Sequence, residues 1–193
     1  TTEIYTLSLH DALPILPQGS VGIQAMLETA GAIVRVNEIA AASSRLVGLT
    51  LGGQDLAADL GIKATKEGLE LLYAKSAVVI AAKAFGLEAF DTVYTDVGDL
   101  AGLAQACAVS VSLGFSGKAA IHPSQIPVIH AAFAPSSKEI EKAARVVAGA
   151  KAAYAKGLGV VSVDGRMVDA PVVAQAERTL ELARLAGLEV PEL

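Results

Sequence analysis

Two acidic residues, Glu28 and Asp55, each stand just past a short apolar run that reads as a buried strand, 21–27 before the first and 46–51 before the second. If these runs are neighbouring parallel strands, their C-terminal ends share one edge and both carboxylates face one mouth. Such a pair suits a hard cation: Mg²⁺ takes one or two protein carboxylates and completes its octahedron with water and substrate oxygens. Gly52 and Gly53 remove side chains beside Asp55 and leave room for a ligand, which makes Gly53 a candidate substrate contact. The same carboxylates equally suit capping a helix or pairing with lysines at a sheet edge, and spacing alone leaves both readings open.

Other chemistry-bearing residues are more ambiguous. Asp96 and Asp99 follow a third apolar run; Asp99 reads as a helix cap and Asp96 as part of the mouth. His122-Pro123 closes a fourth run, placing the histidine at the productive edge, either lining a ligand channel or hydrogen-bonded as a structural residue. Lys118 stands near the start of that run and reads as a salt-bridge partner. The stretch 114–118 lacks the length and the trailing Ser or Thr of a phosphate-cradling loop. Cys107 sits in an Ala-rich helical pattern and reads as inert core. Three scattered histidines and one cysteine give no zinc spacing.

The positioning elements can be read from hydrophobic periodicity. Helical patterns cover 31–42, with Ile33 and Val36 inward, and 67–85, with Leu69, Leu72, Ser76, Val79, Ile80 and Lys83 on one face. A third strand is expected over Phe90–Thr95, and a helix over 98–113 carries Leu100, Leu103, Cys107 and Val111. The fourth strand is expected over Ala119–Ile121. Proline disfavours the α region at the residue before it, so His122 halts that strand, and Ser124 caps a helix carrying Ile126, Ile129 and Phe133. Four strand–helix units at roughly thirty-residue spacing, with no hairpins between them, predict parallel strands with right-handed crossovers. Beyond Pro135 the pattern changes. Ser136 and Glu139 form a capping box opening a long helix, Asp164-Gly165 turns a hairpin, and Asp169 precedes a last helix at Pro171.

Composition bounds the function. The chain has 193 residues, 53% of them hydrophobic, a net charge of −5 and no Trp. The acidic balance and scattered basic residues argue against nucleic acid as a partner. No apolar run reaches the roughly 18 residues that cross a bilayer, since Lys83 interrupts the best candidate, so no membrane partner is expected. A lone cysteine rules out an internal disulfide and suits a reducing cytoplasm. Residues 1–16 match neither a secretory signal nor the rest of the chain, and look like translated adapter or vector sequence, artefactual or disordered; no role is assigned to His10 or Asp11.

The run GFSGKAAIHPSQI, with AAFAPS shortly after it, resembles the last strand and loop of the citrate lyase β-subunit-like family, relatives of the HpcH/HpaI aldolases. LETA at 27–30 and GGQDLAADLG at 52–61 resemble its metal-ligand segments, and VDGRMVDAP at 163–171 its C-terminal segment. The resemblance runs from about Val21 to Pro191. It implies that Glu28 and Asp55 hold Mg²⁺, that Gly53, His122 and Pro123 contact substrate, and that Asp169 is lent to a neighbouring protomer's active site, where it handles protons. Asp169 also reads simply as the cap of its helix.

The implied fold is α/β: the C-terminal half of a TIM (β/α)8 barrel, about four βα units over 17–135, with a helix–hairpin–helix, subunit-contacting extension over 136–193. A complete barrel takes about 250 residues, and the family's earlier strands, which carry a substrate-binding arginine, are not matched. The implied activity is Mg²⁺-dependent carbon–carbon cleavage of a carboxylated 3-hydroxyacyl-CoA (citramalyl-, malyl- or citryl-CoA) to acetyl-CoA and a keto acid, by a homo-oligomer (trimer or hexamer), with this chain alone expected to be inactive. The alternatives are a metal-dependent aldolase on free 2-keto acids and a non-catalytic CoA-binding or structural subunit.

Overall fold

Four short strands, β1 (Ile23–Leu27), β2 (Leu46–Leu51), β3 (Glu88–Asp91) and β4 (Gly117–Lys118), form one sheet in chain order with every neighbouring pair parallel. Sequential parallel order is the winding of a β/α barrel; a doubly wound sheet reverses at a switch point. The chain is an α/β protein of this kind. The computed structural model describes residues 19–155, 157 and 161–191, so the expectation for residues 1–16 lies outside the described residues. The chain divides into two compact units, one ending at Ile129 and the other beginning at His130.

In the first unit, α1 (Ala30–Val34) and α2 (Val36–Ala40) join β1 to β2, and α3 (Gly53–Asp59), a 3-10 turn (Leu69–Leu71) and α4 (Leu72–Ala84) join β2 to β3. Helix α5 (Leu100–Leu113) leads to β4, and a 3-10 turn (Pro123–Gln125) opens α6 (Ile126–Phe133). Alternation along the strands sends Leu27, Leu49, Leu51 and Ala89 into a buried layer. On the other side of the sheet Gln24 donates to the Thr50 hydroxyl, while Met26 is 60% exposed.

Several expected details are corrected. The third strand lies over 88–91 and not 90–95, although Val93, Tyr94 and Thr95 favour β structure. Past Asp91 the polar groups of this segment serve loops: Thr92 Oγ1 accepts the Gly53 amide (2.9 Å) and the Tyr94 carbonyl accepts from Gln125 (2.8 Å). The fourth strand is Gly117–Lys118, and Ile121, expected inside it, is half exposed and donates its amide to Gln125 Oε1. His122, not Ser124, caps the next turn. Arg35 breaks the expected single helix into α1 and α2. The α4 face is also rotated. Leu71, Ala74, Lys75, Val78, Val79, Ala81 and Ala82 are buried, while Leu69, Leu72 and Ile80 are exposed. Small alanines let the helix lie close to the sheet, and Lys75 must face β3 to meet its partner.

That partner is Asp91, fully buried at the end of β3. Its Oδ2 accepts from Lys118 Nζ at 2.8 Å, Lys75 Nζ at 3.2 Å and the Ser110 hydroxyl at 2.5 Å, joining β4, α4 and α5 to β3. The expected salt bridge of Lys118 is this one. Burial pushes the Asp91 carboxyl up, but the fields of Lys118 and Lys75, with hydrogen bonds from Lys118 and Ser110, outweigh it and hold it below the ordinary carboxylate value. Cys107, also buried, has its thiol pushed up by burial and stays protonated, as inert core would.

The second unit is a helix–hairpin–helix. Ser136 and Glu139 close a reciprocal capping box on α7 (Ser137–Tyr154), and the two serine hydrogen bonds hold the Glu139 carboxyl below its ordinary value. Strands β5 (Val161–Val163) and β6 (Arg166–Val168) pair antiparallel around Asp164-Gly165, both at positive φ as a type I′ turn requires. The last helix, α8 (Ala170–Leu185), packs Val173, Ala176, Leu180 and Ala183 with Ile140, Ala143, Val147 and Ala150 of α7.

Asp91→Asn is expected to destabilise the first unit by about 3–5 kcal/mol, because it leaves buried ammonium groups uncompensated. Urea unfolding at neutral pH measures this. Since the folded value of Asp91 is depressed, its stabilisation is complete above the ordinary carboxylate pKa of 3.8 and is lost as pH falls below it. The gap between wild type and variant therefore narrows on acidification.

Candidate metal and ligand site

Glu28 comes directly after the last residue of β1, and Asp55 lies in the first turn of α3, which starts two residues after β2. Because β1 and β2 are parallel neighbours in register to Leu27 and Leu51, both carboxylates lie beyond the same sheet edge. Gly52 lies against Glu28: its amide donates to the Leu27 carbonyl at 3.0 Å, and a Cβ built on it would stand 2.4 Å from Glu28 Cγ. The Glu28 side chain therefore lies over backbone that only glycine leaves open. At the other end of α3, Asp59 Oδ2 accepts the Ala30 amide at 2.7 Å and ties the Glu28 loop to the helix carrying Asp55.

Neither carboxylate takes the competing roles of helix cap or lysine partner among the described residues. Thr29 caps α1 through its hydroxyl, and α3 has no side-chain cap. Among the described residues neither Glu28 nor Asp55 has a hydrogen-bond or ion-pair partner for its carboxylate. Two unpaired oxygen donors at one edge fit a hard cation such as Mg²⁺. The described residues contain no cluster of three or more His, Cys, Asp or Glu, so further positions would fall to water and substrate oxygens.

Gly53 is placed differently from the expectation. It is buried, its amide is taken by Thr92, and a Cβ there would meet Thr92 Oγ1 at 2.9 Å and Leu71 Cδ1 at 3.0 Å. The room left by its missing side chain is filled by protein. His122 is exposed past β4, and its Nδ1 accepts the Ser124 amide at 3.2 Å, which puts the ring proton on Nε2 in the neutral form. Pro123 starts the next turn and is also exposed. Asp169 caps α8 in the second unit, with Oδ1 accepting from the Val172 amide at 3.3 Å.

A cleft of about 670 Å³ opens on the strand ends between α4 and α5, lined by Gln54, Thr92, Tyr94, Gln105, Lys75 and Lys118 among others. Across its mouth Lys66 reaches Asp99 at 2.8 Å and Asp96 at 3.2 Å. Asp99 does cap α5, accepting the Gly102 amide, and also takes the Tyr94 hydroxyl. Hydrogen bonds from Lys66, Gly102 and Tyr94 hold its carboxyl down to about 2, and the Lys66 ammonium is raised in turn. Lys66 and Tyr94 were not identifiable from the sequence, because a loop lysine carries no periodic signal. Lys75 had one: it is a charged residue inside an apolar helical stripe.

The HpcH/HpaI aldolase/citrate lyase family model matches residues 15–123. The chain is 45% identical over 170 residues to citrate lyase subunit beta of Escherichia coli (strain K12), covering 88% of this chain and 56% of that protein. It is 41% identical over 135 residues to human mitochondrial citramalyl-CoA lyase, covering 70% of this chain and 40% of that protein. Among solved structures, CitE of Mycobacterium tuberculosis in complex with magnesium, acetoacetate and coenzyme A superposes with a TM-score of 0.73 at 36% identity, covering 84% of this chain and 61% of that one. A citrate lyase from Burkholderia xenovorans gives a TM-score of 0.79 at 27% identity, covering 96% and 59%. The chain spans little more than half the length of the bacterial citrate lyase subunits it matches.

The Lys66 bridge carries a titration signature. The Asp99 carboxyl, followed by NMR, is expected to titrate near 2, and Lys66→Met moves its midpoint upward toward 3.8. Because the folded value is depressed, the bridge is complete above pH about 4 and opens as pH falls toward 2. An unmoved midpoint in the variant would mean that Lys66 does not engage Asp99 in solution.

Proposed function

The chain belongs to the HpcH/HpaI aldolase/citrate lyase family, and from that premise we propose that it carries the metal-binding part of a Mg²⁺-dependent carbon–carbon lyase acting on a carboxylated 3-hydroxyacyl-CoA. The observation that carries this reading is the pair of unpaired carboxylates, Glu28 and Asp55, at one edge of adjacent parallel strands, with Gly52 making room for the first. Glu28 and Asp55 would hold the ion. Bound Mg²⁺ supplies a Lewis acid to the substrate's hydroxyl and carboxylate oxygens. No helix among the described residues is long and apolar enough to cross a membrane, and the lyase is proposed to work in the cytoplasm.

The substrate class is citramalyl-, malyl- or citryl-CoA. Cleavage removes the proton of the 3-hydroxyl, breaks the bond between its carbon and the thioester α-carbon, and yields a keto acid and the acetyl-CoA enolate, which is then protonated. His122 and Pro123, exposed past the end of β4, are proposed to line the thioester's approach. Asp169 is proposed to serve proton transfer at a neighbouring protomer's site in a homo-oligomer; one of its oxygens caps α8, and the other has no partner among the described residues.

Cleavage of the three thioesters, with and without Mg²⁺, is measured on this chain and on a version extended to the relatives' full length. The expected result is Mg²⁺-dependent turnover in the extended protein, abolished by Asp55→Asn or Glu28→Gln. Mg²⁺ affinity should fall at least about tenfold in Gly52→Ala, whose methyl displaces Glu28. CoA binding without turnover of any thioester would favour a binding subunit, and turnover of free 2-keto acids alone would favour an aldolase.

A further inference from the structure

Helix α3 carries Asp55 in its first turn but starts from Gly52, which has no side chain to receive the first amides of the helix. The acceptor comes from the end of another strand. The Gly53 amide donates to Thr92 Oγ1 at 2.9 Å, across 39 positions of sequence, and both residues are buried. The threonine hydroxyl does for α3 what a capping side chain does for an ordinary helix, two residues before Asp55.

Thr92 is itself fixed on both sides. Asp91, just before it, is held by Lys75, Lys118 and Ser110. Just beyond it, the Tyr94 carbonyl accepts from the fully buried Gln125 at 2.8 Å. A hydroxyl between two anchored points does not follow a drifting helix, so the helix start comes to it. On the opposite side the neighbouring amide, that of Gly52, donates to the Leu27 carbonyl at 3.0 Å, next to Glu28. Two successive amides thus tie the start of α3 to the end of β1 and to the end of β3. We infer that Thr92 is a positioning residue for the metal site: by accepting the Gly53 amide it sets where Asp55 stands relative to Glu28. This role rests on the reading of the two carboxylates as Mg²⁺ ligands, and it makes β3, which supplies neither of them, part of the site's geometry.

Mg²⁺ is titrated calorimetrically into this chain and into Thr92→Val and Thr92→Ser, with folding of each checked by urea unfolding. Thr92→Val removes the acceptor at nearly constant volume and leaves a buried amide unpaired. Mg²⁺ affinity is expected to fall at least about tenfold, the scale set by groups that orient metal ligands. Thr92→Ser keeps the hydroxyl and should recover most of the affinity. Coupling of binding free energies is reciprocal, so in the wild type the Gly53 amide should exchange with solvent more slowly when Mg²⁺ is bound. That measurement decides the matter if Thr92→Val does not fold. A merely structural Thr92 would lower stability and leave Mg²⁺ affinity unchanged, which would overturn the positioning role and keep the metal site. Equal weakness of the serine and valine variants, or Gly53 exchange indifferent to Mg²⁺, would overturn it too. Absence of Mg²⁺ binding in the wild type would remove the metal site itself, and the role of Thr92 with it.

Discussion

The buried Asp91 carboxylate is the interaction on which the first unit depends. It ends β3, receives β4 through Lys118, and orients α4 and α5 through Lys75 and Ser110. A strand as short as β4 has little ladder of its own, so a buried charge-assisted contact substitutes for backbone pairing in holding it to the sheet. The cost is desolvation of three charges, which geometry must offset. The same contact explains why α4 turns its alanines and Lys75 inward and leaves Leu69, Leu72 and Ile80 outside.

From that anchor the strand ends acquire two separate polar regions. One is the Glu28–Asp55 edge, built from a glycine that lets a side chain cross the backbone and a helix tied back by Asp59. The other is the α4–α5 cleft, bridged at its mouth by Lys66 and floored by lysines. The first consists of oxygen donors without protein partners among the described residues, the second of lysines each held by carboxylates.

Local roles came out according to chemistry as much as position. His122 and Asp169 both serve as caps, which fixes one atom of each and leaves the rest of the side chain for other contacts. Gly53 shows the converse: a glycine beside a site can exist for protein packing, here against Thr92 and Leu71, and not for ligand access.

Much was legible in the sequence because it is encoded locally. Apolar runs, the capping box at Ser136 and Glu139, the Asp164-Gly165 turn and the placement of Glu28 and Asp55 after strands all derive from dihedral preference and hydrophobic period. The bounds of β3 and β4 were not: β propensity over 92–95 competed with loop hydrogen bonds from Gly53 and Gln125, residues distant in the chain, and at the end of 119–121 the Ile121 amide turns to Gln125 of the following turn. The inward face of α4 was likewise undetermined, since an Ala-rich helix presents two apolar stripes of similar strength. Tertiary structure decided that face by bringing Lys75 and Lys118 to Asp91. Which charges share a buried oxygen depends on distances that no sequence spacing sets.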